Sequence, residues 1–313
     1  MKKIALLTFI LLVGILLFLF LGLTEKSYAY ALSKRIPKVI AIVLTGSAIA
    51  YSSLIFQTVT DNRILTPSIL GLDSLYVFIQ TLIIFFVGSK AMATMDERFT
   101  FAIAAILMMV FSVGILGTFL NMVKGNIYML LLIGIVTGTL FRSGSSFLQT
   151  IIDPNEFLIL QGKLFASFNN INTNLLFFSG LFLSGALIYG FTQNHKLDVL
   201  TLGREQAINL GINYNSLVTR MLIIVAILIS VSTALVGPIT FLGVLVTNLS
   251  REMLKTYKHS TLIIGSMLIS SIALIYGQLF VERIFSFATP ISVIINFIGG
   301  LYFIYLLLKE NQL

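Results

Sequence analysis

The side chains in this sequence that could do chemistry are few, and their types exclude more than they offer. There is no cysteine, which removes disulfides, thiolate nucleophiles and iron–sulfur ligation. The 2 histidines, His195 and His259, stand far apart and read as solvated loop residues rather than ligands or proton relays. The 12 acidic residues, Asp73, Asp198 and Glu205 among them, all read as loop or span-end positions. No G-x-x-x-x-G-K-[ST] loop is present to cradle nucleotide phosphates, and no Ser–His–Asp set or metal-ligand cluster emerges. Neither a catalytic residue, a resident cofactor nor a metal site is expected. Proton- and sodium-driven carriers usually bury carboxylates at mid-membrane, so an ion-coupled secondary transporter is the weaker transport reading.

Two polar constellations remain. Thr139, Arg142, Ser146 and Gln149 step by three, four and three residues and so share one helix face. Within an apolar run such a face must meet protein or water. It lines a pathway, or it hydrogen-bonds a neighbouring helix, aided by Gly134 and Gly138 in G-x-x-x-G spacing. The second constellation is "DVLTLGREQAINLGINYNS", residues 198–216, a polar stretch between two hydrophobic runs. Gly211 is placed to stop a short helix, and Asn213 or Asn215 to cap a second short one. Leu202, Ala207, Leu210 and Ile212 would form an apolar patch beside Arg204, Glu205 and Gln206. That pattern suits a helix docking in a partner's groove, or an amphipathic loop on the membrane surface. A further stretch, "SFNNINTN" at 167–174, either touches substrate or caps a short outer helix.

The elements that must position these residues are membrane spans. The chain has 313 residues, of which 58% are hydrophobic and 10% charged, with a mean hydropathy of +1.02; a soluble domain is about 25% charged. Lys and Arg number 20 against 12 Asp and Glu, a net +8. These charges sit at the ends of apolar runs, which fits membrane topology and not nucleic-acid binding. A helix of about 20 residues crosses the hydrocarbon. Ten spans fit: 4–23, 38–57, 70–88, 100–120, 127–150, 174–191, 220–237, 239–254, 261–284 and 290–308. The first reads as a retained span and not a cleaved signal peptide. Gly237-Pro238 splits the seventh from the eighth, so that pair is broken or re-entrant. An even number of spans puts both termini on one side, here the inside, and residues 1–313 form a single transmembrane domain.

Four blocks, in order, resemble one family. "SKRIPKVIAIVLTGSAIAYSSLIFQTVTDNRILTPSILGLDS" (33–74) resembles the R-L-P-R…N-P-L-x-x-P-x-x-L-G region of iron-siderophore and cobalamin ABC-importer permeases. "LTLGREQAINLGI" (200–212) is similar to their cytoplasmic L-G-x-x-x-A-x-x-L-G loop. "VGPITFLGVLVTNLSR" (236–251) is similar to their G-x-I-x-F-[VI]-G-L-x-x-P-H-x-x-R block, and "PISVIINFIGGLYFIYLLLK" (290–309) to their last span. Lys38 departs from the second Arg of R-L-P-R, Thr247-Asn248 from Pro-His, and Ala288-Thr289 stand where an acidic residue is usual. "TVTDNRILTP" and "DPNEFLILQGKLFASFNNIN" resemble one subunit of petrobactin- and anguibactin-type importers.

The resemblance implies an all-α type II importer permease of about ten transmembrane helices in the bacterial cell membrane, both termini cytoplasmic. It implies a second permease, here a non-identical homologue, two cytoplasmic ATPase subunits, and an external binding lipoprotein or periplasmic protein. The cargo would be a ferric siderophore, or another chelate such as cobalamin or haem. Leu202, Gly203, Arg204, Glu205, Gln206, Ala207, Leu210 and Gly211, within a coupling loop at about 192–219, would then meet the ATPase. Arg35, Lys38 and Arg283 would meet the binding protein, although lone cations at span ends also snorkel to headgroups. Asn126, Ile127 and Tyr128 would stand at the cytoplasmic gate, unless Tyr128 is an interfacial anchor.

Overall fold

Apolar runs of this length fold as helices because a backbone in hydrocarbon must satisfy its own hydrogen bonds. A computed structural model of the chain describes residues 2–23, 28–88, 96–122, 127–169 and 171–310, leaving aside the side chains of 115–122, 127, 128, 130, 309 and 310. Among them the long helices are α1 (Lys2–Phe20), α2 (Tyr28–Val59), α4 (Glu97–Met122), α5 (Ile127–Ile151), α7 (Thr173–Phe191), α10 (Tyr214–Val236), α12 (His259–Arg283) and α13 (Ile291–Glu310). These eight are long and apolar enough to cross a membrane. α3 (Leu72–Val87) has 16 residues and α11 (Leu242–Leu254) has 13. They stand where the third and eighth spans were expected, so the bundle is a multi-pass membrane domain of the predicted kind. Three short helices lie outside it: α6 (Pro154–Leu164), α8 (Asn194–Leu200) and α9 (Arg204–Asn209).

α2 is the axis of the bundle. Every residue from Thr45 to Val59 is buried, and α10, α11, α12 and α7 pack around it. The stretch is rich in Ala and Ser, which lets neighbouring backbones approach closely in the absence of a hydrophobic drive between helices. α1 lies outside, against α12. Lys3 Nζ donates to the Met253 carbonyl at 2.6 Å, placing the start of α1 beside the end of α11. The end of the bundle that holds Lys2 also holds α8 and α9, and is called the terminus end below.

α3 is short because the chain re-enters before it coils. After α2 ends, a 3₁₀ turn at Pro67–Leu70 leads to Gly71 at φ 79°. A Cβ on Gly71 would lie 2.8 Å from Gly138 Cα of α5, so only glycine fits. α3 then runs parallel to α5: Phe78 lies against Gly144, and Gln149 Nε2 donates to Thr81 Oγ1 at 3.2 Å. α3 therefore starts level with the middle of α5. This overturns one expectation, that every carboxylate lies in a loop or near a span end. Asp73, in the first turn of α3, sits at mid-depth.

Candidate functional site

The second break in the bundle meets the first. Between α10 and α11 the chain is unwound at 237–241, with Gly237 at φ 94° and no room for a Cβ beneath the Ala166 backbone. Thr240 Oγ1 donates to Asp73 Oδ2 at 3.1 Å. The freed Phe241 N–H finds a side chain on α13, donating to Asn296 Oδ1 at 3.3 Å, and in the neighbouring segment after α6 Ala166 N–H donates to Ser292 Oγ on the same helix at 3.1 Å. Irregular backbone survives at membrane depth only where protein or a wet cavity satisfies it. Here a cavity of about 240 Å³ opens, lined by Asp73, Ser74, Arg142, Thr240, Ser292 and Asn296 among others.

Of the four residues assigned to one face of α5, three stay open. Thr139, Arg142 and Ser146 are exposed, and the Thr139 hydroxyl bonds only its own helix, at the Ile135 carbonyl. Gln149 instead bonds across to α3. Gly134 and Gly138 pack on the adjoining flank, against the backbone of 69–71. The two readings of this helix are thus divided between two of its faces. A cation at the centre of a span costs roughly 2.5–3.5 kcal/mol in insertion measurements. Arg142 therefore faces protein or water rather than acyl chains. Asp73, Ser292 and Asn296 were missed as partners of this face. The visible signal was Asn296, a lone amide inside the apolar run of the last span.

The expected coupling segment folds as α8, a turn and α9. α9 ends in a Schellman stop, in which Gly211 (φ 83°) donates to the Ile208 carbonyl and Ile212 to Ala207. Asn213 caps α10 itself, its side chain accepting from Ser216 N–H, and so starts the next span in place of a second short helix. Leu202, Ile208 and Leu210 are exposed, with Arg204, Glu205 and Gln206 beside them. Ala207 is fully buried and Ile212 half-buried, which corrects the predicted apolar patch: these two turn inward and Ile208 replaces them. Gly203 opens α9 at φ 96°, and Arg204 lies over the Tyr214 ring at 5.6 Å.

His259 corrects the sequence reading most sharply. It is 1% exposed. Asp198 Oδ1 on α8 accepts from the His259 backbone N–H at 2.7 Å and from Nδ1 at 2.8 Å, while Nε2 lies 2.9 Å from Thr58 Oγ1 on α2. A carboxylate can only accept, so Nδ1 carries a proton in this arrangement. One imidazole thus ties α8, α12 and α2 together. His195 is exposed, as expected.

At the opposite end the three predicted cations do gather. Arg35 donates to the carbonyls of Leu19 at 2.8 Å and Leu21 at 3.0 Å, and Arg283 also donates to Leu21. Lys38 pairs with Glu282 at 3.2 Å and lies over the Phe287 ring. Lys34, exposed beside them, lines a cavity of about 510 Å³ with Tyr30, Glu97, Asn169 and Asn172. Lys163 on α6 lines another, of about 310 Å³; burial pulls its ammonium below the usual lysine range, opposed by the charge of Glu97. Asn172 caps α7, accepting from the N–H groups of Asn174 and Leu175, so the Asn-rich stretch starts a span and not a short outer helix. The predicted gate lies outside the described residues in Asn126 and in the side chains of Ile127 and Tyr128.

Comparison with known proteins gives a consistent set. The model of the FecCD transport family matches residues 4–309. The petrobactin import system permease YclO of Bacillus subtilis is 60% identical over 99% of this chain and 98% of its own length. Two petrobactin import permeases of Bacillus anthracis, FatC and FatD, are 33% and 26% identical, over 92% and 89% of this chain and 82% and 81% of their own lengths. A solved chain described as an inward-facing metal-chelate type ABC transporter superposes with a TM-score of 0.84 at 25% identity, over 98% of this chain and 99% of its own length.

Proposed function

The chain belongs to the FecCD transport family, and on that premise we propose that it is one permease subunit of an ATP-driven importer for a ferric siderophore of the petrobactin type. The observation that carries this is the coupling segment. A membrane bundle this apolar leaves Leu202, Ile208 and Leu210 exposed on and beside the short helix α9 at its terminus end, a surface suited to another protein's groove. One of two ATPase subunits docks there and hydrolyses ATP, so that end, with both termini, is cytoplasmic. An external binding protein delivers the chelate at the opposite end, over Arg35, Lys38 and Arg283. The exposed polar face of α5 abuts a second, non-identical permease; FatC and FatD, two different chains of one organism that both bear the petrobactin import permease name, support that pairing. Asn126, Ile127 and Tyr128 close the pathway on the cytoplasmic side.

Asp73 at mid-depth is the observation that favours an ion-coupled carrier. Its carboxylate, however, accepts from Thr240 and shares its cavity with a cation, which leaves less reason to bind a coupling ion. Deleting the chain should abolish uptake of radio-iron presented as ferric petrobactin, and proteoliposomes of the full complex should import it on ATP with no ion gradient. Uptake that survives deletion in a strain with no other importer, or that requires an ion gradient, would refute the proposal.

A further inference from the structure

Resting on the importer reading above, we infer that the mid-depth cavity is a subsite for anionic oxygen groups of the passing chelate, contacted by Arg142, with Asp73 offsetting that cation's charge between passages. The cavity sets six polar side chains among Val77, Leu164, Phe165 and Pro238, and those polar groups differ in freedom. Asp73 is fixed by Thr240, Asn296 by the Phe241 N–H and Ser292 by the Ala166 N–H. Arg142 is exposed on the open face of α5 and closes no ion pair with Asp73 among the described residues. The one cation is thus the group left to move.

Its chemistry names the ligand. A guanidinium presents five N–H donors in a planar fork and no acceptor, which matches carboxylate or paired chelating oxygens. At about 240 Å³ the cavity is smaller than the 300–1,000 Å³ that holds a whole drug-sized ligand. It therefore takes one group of the chelate, whose body lies outside α5 in the space shared with the partner permease. Asp73 keeps the empty site near neutral. With Asp73 in the same cavity, an incoming anion meets a guanidinium whose charge is already partly offset, which keeps it from being held too firmly to leave.

The test is uptake of radio-ferric petrobactin by the full complex, with membrane level measured alongside. The binding protein sets the half-saturating concentration, so a pathway contact should appear in the maximal rate. Arg142→Gln should lower that rate about tenfold, the equivalent of ~1.4 kcal/mol and just below the ~1.5–3 kcal/mol of a hydrogen bond to a charged group, with half-saturation unchanged; Arg142→Lys should keep most of it. Arg142→Gln combined with Asp73→Asn, which restores neutrality, should stay slow. Full recovery in that double variant would show a structural ion pair only and overturn the inference, as would an unchanged rate in Arg142→Gln. A wild type that imports no ferric chelate would instead overturn the importer reading itself.

Discussion

α1 and α5 bury the same share of their residues, 22% of the apolar stretch in each, and expose different chemistry. α1 shows Leu6, Phe9, Leu12 and Leu16. α5 shows Thr139, Arg142, Ser143, Ser146 and Thr150 along with Leu140 and Phe147. Exposure in a single membrane chain thus does not say what covers a surface; side-chain chemistry does. The α1 face is finished, because acyl chains solvate leucine as well as leucine does. The α5 face is unfinished, because no lipid offers a partner to a guanidinium or a run of hydroxyls.

The largest test of that contrast places a charge on each face. Leu12→Arg should cost roughly 3 kcal/mol of insertion and lower the membrane-embedded level by about a hundredfold, read by protease protection. Ser143→Arg should insert nearly normally but fail to co-purify the second permease. Equal insertion losses would erase the distinction.

A buried and an exposed imidazole repeat the contrast at the terminus end. His259→Phe removes bonds worth about 1.5–3 kcal/mol where a charged partner is involved, and should lower substrate-stimulated ATP hydrolysis by about tenfold while ATPase binding persists. His195→Phe should change neither. A silent His259→Phe would show that α8 is held by packing alone.

A smaller effect is expected on the coupling surface. Ile208→Ser with Leu210→Ser should weaken ATPase co-purification several-fold, since each exposed side chain loses at most about 1.5–3 kcal/mol of burial. Ala207→Ser should act instead through folding, because Ala207 is wholly buried. The smallest effect belongs to the opposite end. Lys34→Glu should reduce uptake only a few-fold at limiting substrate, consistent with about 0.2–1 kcal/mol for an exposed pair, leaving the membrane level unchanged. Lys38→Glu should lower that level too, since it sets a carboxylate against Glu282 in a pair whose side chains are 14% and 12% exposed.

The spans, the break at Gly237-Pro238, the stop at Gly211 and the polar face of α5 were all legible, because periodicity, glycine and charge are local signals. Asp73 was not. Its depth depends on the 3₁₀ turn and on Gly71 meeting Gly138, a contact between residues far apart in sequence. His259 was missed for the same reason: its partners, Asp198 and Thr58, lie 61 and 201 positions away. Asn248, which departs from the family's histidine, donates to the Arg63 carbonyl and so pins the connection leading to α3. Its sequence context announces a departure but not that bond.

α2 has 32 residues, about 48 Å, and outreaches the roughly 30 Å of hydrocarbon. Lys38, just past the Pro37 in its first turns, stands near one end and Thr58 near the other, about 30 Å apart along a single rod. The proposed docking platform and the imidazole lock are therefore two ends of one rigid body. Anything that shifts the rod at one end is felt at the other without a relay of loosely packed side chains. Linkage then makes the effect reciprocal: if a docked binding protein alters the nucleotide affinity of the ATPases, the nucleotide must alter the grip on the binding protein by the same factor.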